Sequence, residues 1–464
     1  MKTKYRRIPD WKILQDEKKV WYLENQGQPK SRIIIDEVIK TLIESSDANP
    51  DDEISLQNTR LLDDALQQEN NFPQPITPQE FLQTFFQVFT RVGALATESE
   101  IPLTPQEKLP PGPGPLNRLP LVSILVVTCN GCEHLPGLLD SLKQQNYPNL
   151  EIIIIDNHSD DDSFAYIKEN FPGIEIFRNS KNLGHGAAFN IGLEKAKGDM
   201  ILHLDDDIVV ETDAISKLVH AALVKEKWAA LAPKIKFFHN RAFINSMGNS
   251  IHKTDWGSDN FINHVDLGQF DHFSEPFSAC FAAVLLNRKI IAKIGALDEF
   301  YKVYYDDVDW CFRAQINGFP VYIVPDAEVF HKFGGTMRKN KKFFQRKWEL
   351  VIGNRLYFTI KNFETKTIRF FLPHYLLEDM KNIGGSLVKG KLRLLVIYFK
   401  AYARFLSALP RVLRKRKEVQ KLREDIPDVL LLSKNVPINH SISKEGIPRL
   451  DVHSLCYNYL APGR

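Results

Sequence analysis

From Leu121 onward, apolar and polar positions fall into a repeating order. LVSILVVT (121–128) is a short, unbroken, β-branched run, the pattern of a strand covered on both faces. A helical spacing follows over His134–Gln145. EIIIID (151–156) predicts a second strand, DDSFAYIKEN (161–170) a helix, and IEIFRN (174–179) a third strand. GAAFNIGLEKAKG (186–198) then reads as a helix and MILHLDDD (200–207) as a fourth strand. Strands alternating with helices in this way predict an α/β domain with a doubly wound, mostly parallel sheet. Ligands of such sheets sit beyond the carboxyl ends of the strands. The residues at those ends are Thr128-Cys129-Asn130, Asp156-Asn157, Arg178-Asn179 and Asp205-Asp206-Asp207.

The flanking regions read differently. In residues 1–100, VWYL fits a strand, while IIIDEVIKTLIESS and EFLQTFFQVFTRVGAL have helical spacing, the second opened by the cap-like Thr77-Pro78-Gln79-Glu80. A small N-terminal domain is expected here, helical or winged-helix-like, with a faint likeness to PqqD-like peptide-binding modules. Residues 101–120, IPLTPQEKLPPGPGPLNRLP, form a Pro/Gly-rich linker, since proline cannot donate to a ladder and glycine resists ordering. The catalytic-type domain is placed at 121–335. Basic, aromatic-rich helices are expected over 336–417, and an irregular polar tail over 418–464.

Composition adds three points. At 464 residues the chain can build two or three cores, and 44% hydrophobic with 25% charged residues is a globular balance. The basic N-terminus has no apolar signal-like region, no run of about twenty apolar residues exists, and five cysteines fit a reducing compartment. These features predict a cytoplasmic protein. The net charge of +3 hides an asymmetry: Lys332 to Lys417 holds 22 Lys/Arg against 4 Asp/Glu. Such a block fits either an anionic partner or merely a solvated helical face. Within it, LRLLVIYFKAYARFLSALP can form an amphipathic helix with Arg393, Lys400 and Arg404 in one stripe and Leu395, Phe399, Tyr402 and Leu406 mostly on other faces. That pattern predicts peripheral attachment to an anionic membrane, at the inner face of the cell membrane, although the apolar side can equally pack on the rest of the protein. No nucleic-acid partner is expected.

The candidate chemistry lies in two acidic clusters. Three adjacent carboxylates, Asp205, Asp206 and Asp207, are costly without a cation. Mg²⁺ or Mn²⁺ prefers oxygen ligands, and in an extended strand Asp205 and Asp207 point the same way. The alternative is a solvated acidic turn. The same DxDxV pattern fits a haloacid-dehalogenase nucleophile loop, but that loop belongs on a first strand and three strand–helix units precede this one. The second cluster, YYDDVDWCFR (304–313), reads as a helix start, where Asp306 and Asp307 suit the positive end of the dipole either as caps or as a general base. His331, in VFHKFGG, is a metal ligand or a structural histidine. Cys129 and Cys132 spell C-x-x-C but have no second pair, and a redox or zinc role is not expected.

In order, VSILVVTCNG, QNYPNLEIIIIDNHSDD, NLGHGAAFNIGLEKAKGD, LDDDI, GALDEFYKVYYDDVDWCFR and VFHKFGG resemble a family 2 glycosyltransferase of GT-A fold over Val122 to about His331. Within that family the acidic motifs and the later histidine look nearest the rhamnosyl- and galactofuranosyltransferase branch. The resemblance implies a hexosyl- or rhamnosyltransferase working in cell-surface glycan or glycolipid synthesis. It would be metal-dependent and inverting, moving a sugar from a UDP-, dTDP- or GDP-linked donor to a hydroxyl of a glycan or lipid-linked acceptor. By the same resemblance Asp156 would contact the base. Thr128, Asn182 and Asn190 would line the nucleotide site, with Asp206 beside them. Asp205 and Asp207 would meet ribose, metal and diphosphate, and His331 would complete the shell of a Mn²⁺ or Mg²⁺. Asp307 would be the base, with Asp306 standing where the family often has Glu and leaving open which acid acts. Trp310 would line the acceptor site or belong to the core. The alternatives are a nucleotidyltransferase, disfavoured because TCNGCEHLPG has no Lys or Arg, and a non-catalytic sugar-nucleotide-binding adaptor.

Overall fold

The computed structural model describes residues 119–252, 257–332 and 341–436, and outside them only short elements. Those in the N-terminal part are β1 (Tyr5–Arg7), β2 (Trp11–Gln15), β3 (Trp21–Asn25), β4 (Arg32–Ile35), α1 (Pro78–Arg91) and β5 (Leu95–Thr97). β2, β3 and β4 form an antiparallel run, and β1 pairs with β5. The described N-terminal elements are therefore mostly strands rather than helices. The helix expected from IIIDEVIK begins instead as β4, whose β-branched isoleucines suit the ladder with β3. The expected helix around Phe81–Phe89 is present as α1, with Phe81, Phe85 and Phe89 buried. Residues 41–77 and 101–118, which hold the rest of the first predicted helix and nearly all of the linker, lie outside the described residues.

The central domain follows the predicted order through its first four strands. These are β6 (Val122–Thr128), α2 (Leu135–Lys143), β7 (Leu150–Asp156), α3 (Ser163–Asn170), β8 (Glu175–Arg178), α4 (His185–Lys195) and β9 (Met200–Asp205). After them come β10 (Ile208–Val210), α5 (Ala214–Val224), β11 (Ala230–Phe237), β12 (Ile244–Ser246), β13 (Asn249–Ser250), β14 (Ser258–Asp259), β15 (Ala283–Asn287), α6 (Arg288–Ile294), α7 (Asp306–Gln315) and β16 (Val321–His331). The sheet order is β10-β16-β11-β15-β9-β6-β7-β8, with β12 beside β11. α2, α3 and α5 cover one face and α4, α6 and α7 the other, each through a separate apolar cluster.

The class is α/β, with helices following the sheet, but the sheet is mixed rather than mostly parallel. β6, β7, β8 and β9 run parallel, whereas β15 enters antiparallel between β9 and β11, and β10 is antiparallel to β16. Nothing in the apolar pattern of β15 distinguishes the two directions, because a strand buried on both faces looks the same either way.

The parallel block determines where the chemistry gathers. Thr128 lies opposite Asp156, Val127 opposite Asp205, and Asp156 opposite Arg178, so the carboxyl ends of these strands meet at one edge.

After the sheet come α8 (Lys341–Asn362), α9 (Thr365–Val388), α10 (Leu392–Ser407), α11 (Leu409–Leu422) and α12 (Asp428–Leu432), and the short β17 (Arg449–Leu450) pairs with β4. Much of the basic block is spent inside this assembly. Lys361 is buried between Asp298 (2.8 Å) and Asp309 (2.9 Å), and Arg355 pairs with Asp379 at 2.8 Å. Arg411 reaches Asp298 at 2.9 Å, and Arg416 donates to the Ile360 carbonyl at 2.8 Å. Arg404 is also taken inward: it donates to Asn354 Oδ1 at 2.8 Å and to the Phe300 carbonyl, and lies 4.0 Å from the Phe300 ring centre. It therefore does not join Arg393 and Lys400 in an exposed stripe. Tyr402 likewise turns inward, donating to Asp379 at 2.7 Å. Among the described residues, no helix is long and apolar enough to cross a membrane.

Candidate active site

At the end of β6 the chain turns sharply through Thr128–Cys132. Thr128 Oγ1 donates to Asp206 Oδ2 at 2.6 Å. A Cβ on Gly131 would fall 2.2 Å from that same Asp206 oxygen, so the C-x-x-C spacing belongs to a turn pressed against the acidic triplet. Burial, with further help from nearby aspartates, raises the pKa of both Cys129 and Cys132, the opposite of what a redox-active thiol needs.

Asp156, fully buried at the end of β7, accepts the Ser159 N–H at 2.9 Å and lies 3.2 Å from Arg178. Asn182 stands in the loop before α4, where its Oδ1 accepts from Gly184 N (3.0 Å) and Asn157 Nδ2 (3.2 Å). Asn190 binds the backbone of Leu297, donating at 3.0 Å and accepting at 3.1 Å, which staples α4 to the loop before α7. Trp310 is buried and donates to the Gly295 carbonyl at 3.1 Å, so it belongs to the core and lines no acceptor site.

Asp205 and Asp207 follow β9, and His331 ends β16. Pairing of Ile208 with His331 in the β10–β16 ladder draws the triplet to the histidine. His331 Nε2 lies 3.1 Å from Asp207 Oδ1, while its Nδ1 is 2.8 Å from Asn245 Oδ1. One ligand atom from each of Asp205, Asp207 and His331 fits within 4.8 Å of the others. Burial pushes the Asp206 carboxyl up to about 7; the Thr128 hydrogen bond opposes this, and the charges of Asp207 and Asp205 add to it. Burial disfavours the His331 cation too, but the Asp207 hydrogen bond and charge outweigh it and raise the pKa. This is the unfavourable concentration of negative charge that a divalent cation relieves.

A second group, His185, His203 and Asp205, is equally compact, with His203 Nε2 3.5 Å from Asp205 Oδ1, but its histidines are already engaged. His203 Nδ1 is 3.2 Å from the Leu125 carbonyl, the His203 and His185 Nε2 atoms are 2.9 Å apart, and His185 Nδ1 is 2.5 Å from Asp306 Oδ2. The consistent assignment has neutral His203 donating to Leu125 and accepting from His185, which is a cation paired with Asp306. Burial would lower the pKa of His185, yet the Asp306 carboxylate carries it to about 9. Neither histidine entered the sequence expectations. The available signals were a polar residue inside the apolar strand MILHL and another at the first position of α4.

This pairing separates the two acids of α7. Asp306 is buried and engaged by His185. Asp307 is half-buried, accepts from Asn249 Nδ2 at 2.7 Å, and is pushed up to about 7 by burial and by the charge of Asp306. The loop that aims them is strained: Lys302, Tyr304 and Tyr305 have φ of 62°, 64° and 70°. It is held from α8, where buried Asn354 donates to the carbonyls of Tyr301 (3.1 Å), Val303 (3.0 Å) and Tyr304 (2.8 Å). Gly184 meets this loop closely. At φ 89° it accepts no side chain easily, and a Cβ would lie 2.9 Å from Lys302 Cα.

Asn354→Ala is therefore expected to cost about 1–3 kcal/mol of stability by orphaning buried groups. It should also lower kcat more than it weakens donor binding, because the donor-side residues do not touch Asn354. Urea unfolding together with steady-state kinetics tests this, and an unchanged kcat in a folded variant would refute the positioning role.

The family described as glycosyl transferase family 2 matches residues 123–295. Over that segment the chain is similar to family 2 glycosyltransferases. An uncharacterized glycosyltransferase of Haemophilus influenzae is 34% identical over 137 residues, covering 29% of this chain and 52% of that protein. A dTDP-rhamnosyl transferase, RfbF, of Shigella flexneri is 23% identical over 225 residues, covering 45% of this chain and 68% of its own. The chain spans about half or less of the length of the first curated relatives it matches. A mannosyltransferase from Pyrobaculum calidifontis, solved in complex with GDP-Man and Mn2+, aligns over 72% of this chain and 94% of its own. Its identity is 14% and its TM-score 0.39, a superposition too loose to transfer any residue role. The family match ends at residue 295, before α7 and β16, so the second acidic cluster and His331 join the site through the tertiary fold.

Proposed function

We propose that the protein transfers a sugar, with inversion, from a nucleotide diphosphate donor to a hydroxyl of a glycan or lipid-linked acceptor, as a hexosyl- or rhamnosyltransferase of cell-surface glycan or glycolipid synthesis. The observation that carries this reading is the convergence of Asp205, Asp207 and His331 within 4.8 Å, on the domain whose Asp307 stands free of the ion pair that engages its neighbour Asp306.

The residues fit a divalent cation. Two carboxylate oxygens and one imidazole nitrogen suit Mn²⁺, and also Mg²⁺ with water completing its shell. The Asn245 contact with His331 Nδ1 orients the ring and leaves Nε2 toward Asp207, as a hydrogen bond on the far ring nitrogen does for ligating histidines. When bound, the ion supplies neutralisation of charge on the departing nucleotide diphosphate.

The chain's own residues supply the rest. Thr128, Asp156 and the loop held by Asn157 and Asn182 form the floor for the nucleoside. Asp307 takes the proton from the acceptor hydroxyl as its oxygen attacks the anomeric carbon. Asp306, neutralised by His185, stays out of the proton transfer. The dTDP-rhamnosyl transferase among the relatives supports a deoxyhexose donor, and a dTDP-sugar is the first donor to try.

Asp207→Asn is expected to abolish metal-stimulated donor binding while leaving the protein folded, because it removes a charged ligand and retains the shape. Calorimetric titration of UDP-, dTDP- and GDP-sugars with Mn²⁺ and with chelator tests both parts. Equal donor binding with and without metal removes the metal, and binding without any transfer or donor hydrolysis favours the adaptor reading.

A further inference from the structure

The helices α9 and α10 pack side by side, and α10 also rests on α8. Their inner faces are consumed: Tyr375, Ile397, Tyr398 and Ala401 are buried. Their outer faces carry large apolar side chains open to solvent at helical spacing. On α9 these include Leu377, Met380 (61% exposed) and Leu387; on α10 they include Leu392, Val396 and Phe399 (76% exposed). Residues three, four and seven apart share one side of a helix, so each set forms a seam. Apolar seams on two neighbouring helices are more than the scattered exposed leucines that any surface tolerates.

The charge on this face has one sign. Every exposed charged residue of α9, α10 and the turn between them is Lys or Arg, among them Lys389 and Lys391 of the turn and Arg393 and Lys400 of α10. The two carboxylates of these helices are already paired, Glu378 with Lys381 at 3.7 Å and Asp379 with Arg355 at 2.8 Å. We propose that the outer face of α9 and α10 docks on an anionic lipid surface, the apolar seams entering the acyl boundary and the lysines and arginines meeting the headgroups.

The alternatives fit less well. A second copy would set the same basic residues against themselves across a two-fold axis. A nucleic acid has nothing to bury Phe399, Val396 and Met380, since its interfaces are polar. An anionic bilayer supplies both the apolar depth and the opposing charge. The inward Arg404 fits the same arrangement. It ties α10 to the Phe300 carbonyl and to Asn354, so the helix that presents the docking face also touches the segment that leads to Asp306 and Asp307.

The test is co-sedimentation of the full chain with phosphatidylcholine vesicles and with vesicles of phosphatidylcholine mixed equally with phosphatidylglycerol, at low and high salt. Binding is expected to the anionic vesicles only, and to fall steeply with salt. Replacing Lys389, Lys391, Arg393 and Lys400 with Gln should weaken it about fivefold per charge. Met380→Asp with Phe399→Asp should weaken it about tenfold or more, with melting temperature and nucleotide binding unchanged, since neither side chain is packed inside. Equal binding to both vesicle types, binding to neither, or binding unaffected by the Asp pair would overturn the proposal. So would a wild-type dimer in light scattering that the Asp pair converts to monomer, because the seams would then belong to a second copy. None of these outcomes depends on the sugar donor, so a failed glycosyltransferase reading would leave the lipid result standing.

Discussion

Asp307→Asn is expected to leave donor binding intact and to lower the transfer rate by about 10² to 10⁴, the usual cost of losing a general base. The carboxamide keeps the shape of the side chain and can still meet Asn249, but it cannot take a proton. The pH dependence follows from the same environment. Burial and the adjacent Asp306 raise the Asp307 pKa to about 7. Only the ionised form accepts the acceptor proton, so activity should rise as pH increases through about 7 and fall away below it. In Asp307→Asn the residual activity should lose that limb. Asp306→Asn should behave differently. It removes the partner of the His185 cation and one of the charges raising Asp307, so the limb should move to lower pH rather than disappear. Rates and donor affinities for the two variants across pH decide the assignment; a dead Asp306→Asn beside an active Asp307→Asn would reverse the roles.

The largest effect on stability is expected from Lys361→Met. Lys361 is buried on α8 and faces two carboxylates, Asp298 in the loop before α7 and Asp309 on α7 itself. Burial alone would raise both carboxyls, but Lys361 holds them below the ordinary range, with Arg411 also acting on Asp298 and Arg313 on Asp309. Removing one partner of a buried pair typically costs about 3–5 kcal/mol, because the remaining charge is left in a poor solvent. Arg411 and Arg313 remain, which places this variant toward the lower end. The sign with pH follows from depressed carboxyl pKa values. The stabilisation is complete above the unfolded value near pH 4 and is lost as pH falls below it. Urea unfolding of wild type and variant should therefore differ most at neutral pH and converge in acid. A difference that stays constant down to pH 3 would mean that packing, not charge, is what Lys361 supplies.

The basic block from Lys332 to Lys417 shows how far a linear reading reaches. Its charge excess is visible in the sequence, but Arg355, Lys361 and Arg404 stand in it beside Lys389, Lys391 and Lys400 with nothing to set them apart. The first three are spent on Asp379, Asp298, Asp309 and the Phe300 carbonyl, partners distant in sequence. Only the fold sorts clamps from surface charges. Asn190 and Trp310 make the same point. Their types suit a binding site, and the sequence does not show that they bond the backbone of Leu297 and of Gly295.

By itself the sequence determined the strand–helix alternation, the parallel block from β6 to β9, and the meeting of Thr128, Asp156 and Asp205 at one sheet edge. Those follow from local periodicity and from the rule that parallel strands end together. It also marked Asp207, His331, Asp306 and Asp307 as chemistry in waiting. The tertiary structure decided what periodicity cannot carry: the antiparallel entry of β15, the approach of His331 to Asp207 through the β10–β16 pairing, and the division of labour between two adjacent aspartates. That division rests on His185, 121 residues away from Asp306 along the chain. A carboxylate's role is set by the charges and hydrogen bonds around it, and here nearly all of those arrive from distant segments that meet only in the folded chain.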